Sequence, residues 1–163
     1  MAYQDDIKKA AALLLPWNKL SGCNILVTGA TGLIGGCLVD VLMAHKGRNY
    51  NVYASGRNEE RAGRRFLKYA DDNAFHFVKY DVAQPLEYDV NFQYIIHAAS
   101  GAYPEEFIKH PVEVIKGNIN GLDNLMGYGI QHGIKRLLYI SSGEVYGEGD
   151  GRVFTCLLYT SPS

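Results

Sequence analysis

Apolar and polar positions follow two different periods along this chain, and the switches between them mark its elements. Ile25-Leu26-Val27 is an unbroken apolar run, the pattern of a strand buried in a parallel sheet. Gly29, Gly32 and Gly35 follow, and an amphipathic run then extends from Leu33 to about His45. The order is strand, tight turn, helix. Asn51 to Arg57 predicts a second strand and its exit. Residues 58–70 predict an Arg-rich helix, with Asn58 as its cap and Glu59 and Glu60 in its first turn. Phe75 to Tyr80 alternates as a third strand and ends in Asp81-Val82. Phe92 to Ser100 predicts a fourth strand that runs into a turn of small residues. A helical turn is expected over 104–109, then a helix from Val112 to about Gln131. In that helix Ile115, Ile119, Leu122, Leu125 and Met126 recur at helical spacing, a stripe read as core. Ile134 to Ser142 predicts the fifth strand.

Strands alternating with helices predict an α/β fold with a doubly wound parallel sheet. The expected strand order is 3-2-1-4-5, with a ligand crevice at the switch between strands one and four. Ahead of the first strand, residues 3–15 predict a helix stopped by Pro16. Being outside the alternating pattern, it is an appendage. Leu13, Leu14 and Trp17 are expected to dock it on the domain.

Composition narrows the function classes. The 163 residues are 47% hydrophobic and 20% charged, enough for one domain with a sizeable core. A formal net charge of −1 gives no reason to expect nucleic acid or an anionic membrane surface as partner. No apolar run approaches the roughly 20 residues of a membrane span. Met1 to Asp6 lacks the basic-then-apolar layout of a signal peptide. Cys23, Cys37 and Cys156 have no metal-ligand spacing, so reduced thiols, a cytoplasmic location and no metal site are expected. Cys37 is read as core.

The glycine spacing carries the chemistry. In a strand–turn–helix unit, one glycine turns the chain, one lets the backbone approach a pyrophosphate, and one lets helix and strand pack closely. The N–H groups and positive dipole end of the helix then face the phosphates. The spacing here is G-x-x-G-x-x-G, not the G-x-G-x-x-G of the common dinucleotide fingerprint. Thr28-Gly-Ala-Thr-Gly-Leu-Ile-Gly35 and Ser141-Ser-Gly-Glu-Val-Tyr-Gly147 stand in order and at a suitable separation. Together they resemble the short-chain dehydrogenases/reductases, in particular the extended branch of NAD-dependent epimerases and dehydratases that modify nucleotide sugars. The resemblance covers about residues 22–152.

It implies a set of roles. Gly29, Ala30, Thr31, Gly32, Leu33, Ile34 and Gly35 would cradle the diphosphate of NAD or NADP. At the strand-two exit, an acid would favour NAD. Gly56 stands there instead, followed by Arg57, which leaves room and charge for a 2′-phosphate and slightly favours NADP. Arg57 also reads as one more charge on a solvated helix face with Arg61, Arg64 and Arg65. Asp81 and Val82 would hold the adenine, or Asp81 simply caps a turn. Ala98, Ala99 and Ser100 match the segment after strand four, beside His97, which is either a ligand-side donor or a buried strand-end histidine satisfied by backbone. Asn118 matches a mid-helix Asn that helps place the active site. Ser142 would bond the sugar oxygen that becomes a ketone.

The chain departs from the family in two places. Gly143-Glu144 replaces the acidic pair of dehydratase-like members. No Tyr is followed four residues later by Lys, the pair that supplies the family's acid/base. Cys156-Leu-Leu-Tyr-Thr-Ser-Pro-Ser163 reads as translated sequencing adapter, with a real apolar strand as the alternative. The expected organisation is therefore a helical extension over 1–20, an incomplete NAD(P)-binding domain over 21–155, and a non-native tail over 156–163. The full-length parent is expected to be a homodimeric, nucleotide-sugar-modifying enzyme, and the fragment inactive. An NADP-dependent carbonyl reductase of the same superfamily and a non-catalytic NAD(P)-sensing module are the alternatives.

Overall fold

The computed structural model describes residues 2–100 and 104–142. The expected Glu144 turn and the 156–163 tail lie outside the described residues. Five strands form one parallel sheet: β1 (Asn24–Thr28), β2 (Asn51–Gly56), β3 (Phe75–Lys79), β4 (Tyr94–His97) and β5 (Arg136–Tyr139). Their order is β3-β2-β1-β4-β5, as the alternating pattern predicts. The chain reverses its direction of travel across the sheet between β1 and β4, which pair from Ile25↔Tyr94 to Thr28↔His97.

The two faces of the sheet bury different sets of side chains, because successive residues of a strand point to opposite sides. Ile25, Val27, Val52 and Ala54 pack with Val39, Leu42 and Met43 of α2 (Leu33–Ala44) and with Ala62 and Phe66 of α3 (Glu59–Phe66). Leu26, Tyr53, Val78 and Ile95 pack on the other side with Phe92 and with Leu125 and Tyr128 of α5 (Pro111–Gln131). A short helix, α4 (Pro104–Lys109), leads into α5. Asn58 caps α3 as expected, its Oδ1 accepting from the Arg61 N–H at 2.8 Å.

Two sequence expectations need correcting. The first helix, α1 (Ala2–Ala11), ends before the leucines. Pro16 disfavours helical geometry at Leu15, so the chain leaves the helix early. Leu13, Leu14 and Leu15 are then exposed, Leu14 completely, and do not dock. Ile7 and Ala11 dock instead, and Trp17 stacks on His45 with ring centroids 4.3 Å apart.

The second correction is the apolar stripe of α5. Leu125 is fully buried, but Ile115, Ile119 and Met126 are exposed at 57%, 64% and 48%, and Leu122 is half-buried. Small residues decide which side of the helix faces the sheet. A Cβ at Gly121 would stand 3.1 Å from Val82 Cγ2, and one at Gly129 would stand 2.8 Å from Ile134 Cγ2. The helix therefore approaches on its Gly121–Leu125–Tyr128 side, and the bulkier stripe is left beside the contact. Cys37, read as core, is only half-buried.

Candidate functional site

The turn after β1 is built so that no side chain stands between it and β4. Gly29 has φ +65°, and a Cβ there would fall 2.5 Å from the Ala98 carbonyl oxygen. A Cβ at Gly35 would collide with the Gly29 carbonyl, so the first turn of α2 can lie against the loop only because that residue is glycine. Gly32 precedes the first residue of α2 and its N–H donates back to the Gly29 carbonyl at 2.9 Å. Ala30 is fully buried, and its N–H donates to the Ser55 carbonyl at 3.0 Å, which ties the turn to the end of β2. Leu33 and Ile34 are exposed at 86% and 52%, an unusual placing for large apolar residues at a helix start.

The other expected residues gather at the carboxyl ends of the strands. A Cβ at Gly56 would stand 3.5 Å from the Thr31 side chain, so the β2 exit and the glycine turn are neighbours. Arg57 follows, exposed. Neither it nor Arg61 has an ion-pair partner among the described residues, whereas Lys79 pairs with Glu59 at 3.0 Å and Arg64 with Glu60 at 3.3 Å. Asp81 is exposed, and its Oδ1 accepts from the Ala83 N–H at 3.1 Å, a local turn bond. Val82 is half-buried. Its carbonyl accepts from Asn124 Nδ2 at 2.9 Å, which pins the β3 exit to α5.

Ala98 and Ala99 are half-buried beside the glycine turn. Ser100 Oγ donates to Asn118 Oδ1 at 3.0 Å, so the β4 exit is also tied to α5. Ser142 lies three residues past the end of β5, exposed and on the same edge of the sheet, where the Ile140 N–H donates to the His97 carbonyl at 3.0 Å.

His97 differs from its expected environment. Its Nδ1 shares a hydrogen bond of 2.8 Å with the Thr28 hydroxyl rather than with backbone. The register places Ser55, Thr28 and His97 side by side on β2, β1 and β4. All three are at most 1% exposed, and Ser55 Oγ and His97 Nε2 have no hydrogen-bond partner among the described residues. Tyr139 of β5 stacks on the imidazole, with centroids 5.2 Å apart. Burial pushes the His97 pKa down, so the ring is neutral at ordinary pH. This polar row lies directly beneath the crevice. Its signal in the sequence is a polar residue at or next to the carboxyl end of each of three strands, legible only once the register is known.

Two open clefts flank the crevice rather than coincide with it. One of 470 Å³ lies along the edge strand between Tyr80, Gln84, Leu86 and Tyr88, and shares only Asp81 with the expected site. The other, of 350 Å³, lies between α5 and Tyr139 and shares only Asn118. Among the described residues, no three His, Cys, Asp or Glu side chains come together as a metal site. No helix among them is long and apolar enough to cross a membrane.

Known proteins resemble this chain in sequence and in fold. The family model described as NAD dependent epimerase/dehydratase family matches residues 25–161. UDP-glucuronic acid decarboxylase 6 of Arabidopsis thaliana is 34% identical over 131 residues, which are 78% of this chain and 36% of that protein. UDP-glucuronic acid decarboxylase 1 of Danio rerio is 32% identical over 126 residues, 76% of this chain and 28% of that protein. The chain thus spans about a third of the length of these relatives. Among solved structures, UDP-glucose-4-epimerase from Stenotrophomonas maltophila, determined with bound NAD, superposes with a TM-score of 0.64 at 26% identity, covering 78% of this chain and 39% of that one. The UDP-Glc/GlcNAc 4-epimerase of Campylobacter jejuni gives a TM-score of 0.69 at 21% identity over 87% of this chain and 44% of its own, a likeness of fold.

Proposed function

The chain belongs to the NAD-dependent epimerase/dehydratase family, and from that premise we propose that it is the dinucleotide-binding part of an enzyme that oxidises a nucleotide sugar by reversible hydride transfer. The observation that carries the reading is the Gly29–Ala98 approach. A turn that admits no Cβ on the β4 side lets the chain fold tightly there and leaves the N–H groups of the first turn of α2 to face a diphosphate. The residues present fit a dinucleotide.

When bound, the nicotinamide would accept a hydride from a sugar hydroxyl and return it. The chain's own residues would do the rest. Gly29 to Gly35 would hold the diphosphate through backbone, and exposed Leu33 and Ile34 would lie against the ligand. Arg57, Asp81 and Val82 would address the adenosine, with Ala98, Ala99 and Ser100 opposite. Asn118 would fix the β4 exit through Ser100. Ser142 would hydrogen-bond the sugar oxygen that becomes the ketone, stabilising charge as it develops. Known relatives act on nucleotide sugars by name, which supports that substrate class.

Arg57 and Arg61, both without an acidic partner among the described residues, favour NADP over NAD at the ribose. Unpaired guanidinium groups suit a 2′-phosphate. The same observation supports the second reading, an NADP-dependent carbonyl reductase. A full-length parent that consumes NADPH stoichiometrically is a reductase. One that converts the sugar with no net cofactor change is an epimerase, a decarboxylase or a dehydratase. No Tyr of this chain is followed four residues later by Lys, so the chain as it stands is expected to turn over no nucleotide sugar.

Calorimetric titration of the purified chain with NAD+, NADH, NADP+ and NADPH tests the assignment. Binding of at least one with 1:1 stoichiometry is expected, tighter for the phosphorylated pair. No heat with any of the four at millimolar concentration overturns it.

A further inference from the structure

The residues that hold α1 to the domain converge on one buried carboxylate. Asp40, in the third turn of α2, is fully buried. Its Oδ2 accepts from Tyr3 Oη at 2.6 Å and from an Arg65 N–H at 2.5 Å. Its Oδ1 accepts from Tyr69 Oη at 2.8 Å and pairs with Lys68 Nζ at 2.9 Å. Tyr3 Oη also accepts from Arg65 at 3.0 Å, which closes a triangle of α1, α2 and α3. Burial alone would raise the Asp40 carboxyl. The donors from Arg65, Tyr3, Lys68 and Tyr69 outweigh it and hold the pKa at about 2. The other end of α1 is fixed as well, since the Ala11 carbonyl accepts from His45 Nδ1 at 3.0 Å.

Both elements bound by this hub border the candidate site. The first turn of α2 carries Gly35 and Gly36, and α3 follows directly from Arg57 and Asn58. Arg65 reaches Asp40 by crossing α2 at Gly36, where a Cβ would stand 3.1 Å from its guanidinium. The family match begins at residue 25, so α1 lies outside it.

We propose that α1 is a strap that sets the spacing of α2 and α3, and that Tyr3 is a positioning residue for dinucleotide binding, acting through Asp40 and Arg65. The inference rests on the reading of this crevice as a dinucleotide site. A hydrogen bond to a buried carboxylate is a lever on both helices at once. The strap therefore tightens the diphosphate end and the ribose end of the crevice together, while touching neither.

The test uses Tyr3→Phe and Ile7→Ala, which loosen the strap at its polar and its apolar contact. Hydrogen exchange on the ligand-free chain should show α2 and α3 amides exchanging on the order of ten-fold faster in each variant, as expected for loss of a hydrogen bond to a charged group. The β4 and α5 amides should not change. NADPH affinity, measured where each variant remains fully folded, should fall several-fold, and by the same factor for a ligand that lacks the nicotinamide. If α1 peels off while α2 and α3 protection and NADPH affinity stay at the unsubstituted level, α1 is a passive appendage and the proposal is overturned. If the unsubstituted chain binds no dinucleotide, the reading of the crevice fails. The exchange experiment then still decides whether α1 sets the helix pair.

Discussion

A Cβ added to Gly29 would stand 2.5 Å from the carbonyl oxygen of Ala98. That distance joins the first glycine of the turn to the fourth strand, across the point where the sheet reverses its order. With φ at +65°, the backbone conformation also disfavours any side chain there. Gly29→Ala has two costs, strain and a collision with backbone that cannot rotate away. The variant is expected to lose at least 2 kcal/mol, in the range of strained or overpacked sites, and to bind no dinucleotide. Denaturant unfolding and calorimetry check both. Gly63→Ala, exposed on α3 with nothing within 4 Å of the added Cβ, is the control and should be neutral or slightly stabilising.

Arg57 is the residue whose exchange should separate the two cofactors. It is exposed, and the β2 exit before it carries Gly56 and no acid. If its charge meets a 2′-phosphate, Arg57→Ala should weaken NADPH by about ten-fold or more, the scale of a charge-assisted hydrogen bond, and leave NADH within two-fold. No loss for either would mean that Arg57 is a solvated surface charge, and equal losses for both would mean that it meets a part the two cofactors share; either result removes the case for NADP. Fold stability should move by no more than about 0.5 kcal/mol, as is usual for an exposed charge.

His97 predicts a pH dependence with a definite sign. Its folded pKa is pushed down by burial from 6.5. As pH falls below about 6.5, the unfolded chain takes up a proton that the folded chain does not. The contribution of this site to stability is therefore complete above pH 6.5 and shrinks steadily below it. Urea midpoints measured between pH 8 and pH 5 should decline on the acid side. In His97→Asn that part of the slope should disappear, because Asn cannot titrate. Thr28→Val removes the partner of Nδ1 and leaves a second orphaned nitrogen, so it should cost about 1–3 kcal/mol.

The sheet order was legible because each strand is a short apolar run and each connection holds a helix, a pattern that admits few parallel topologies. The glycine turn was legible because glycine spacing reports backbone geometry directly. Residues whose role depends on register were not. Ser55, Thr28 and His97 are 27 and 69 residues apart in the chain, and only strand pairing sets them in one row. The stripe of α5 misled for a related reason. Helical spacing shows which residues share a side, but Gly121 and Gly129 decide which side reaches the sheet. The leucines after α1 misled because Pro16 marks where a helix must already have ended, not how many residues earlier it ends, and this one stops at Ala11. Asp40 did leave a trace: it is the one acid in Leu33–Ala44, and a lone acid in an apolar helix needs a cation.

The buried Asp40 carboxylate predicts an acid-side loss of stability. Asp40 has a folded pKa of about 2, against 3.8 for the free side chain. Its ionised form is favoured in the folded chain, so its contribution is full above about pH 4 and is lost as pH falls toward 2. The shift corresponds to roughly 2 kcal/mol at neutral pH. Asp40→Asn keeps the shape but leaves Arg65 and Lys68 facing a neutral amide. It should lose at least that amount, since removing one member of a buried ion pair strands the other. Between pH 4 and pH 2 the unsubstituted chain should lose stability faster than the variant, and the two curves should converge. Parallel curves would mean that other carboxylates carry the acid transition and that the hub is held by packing alone.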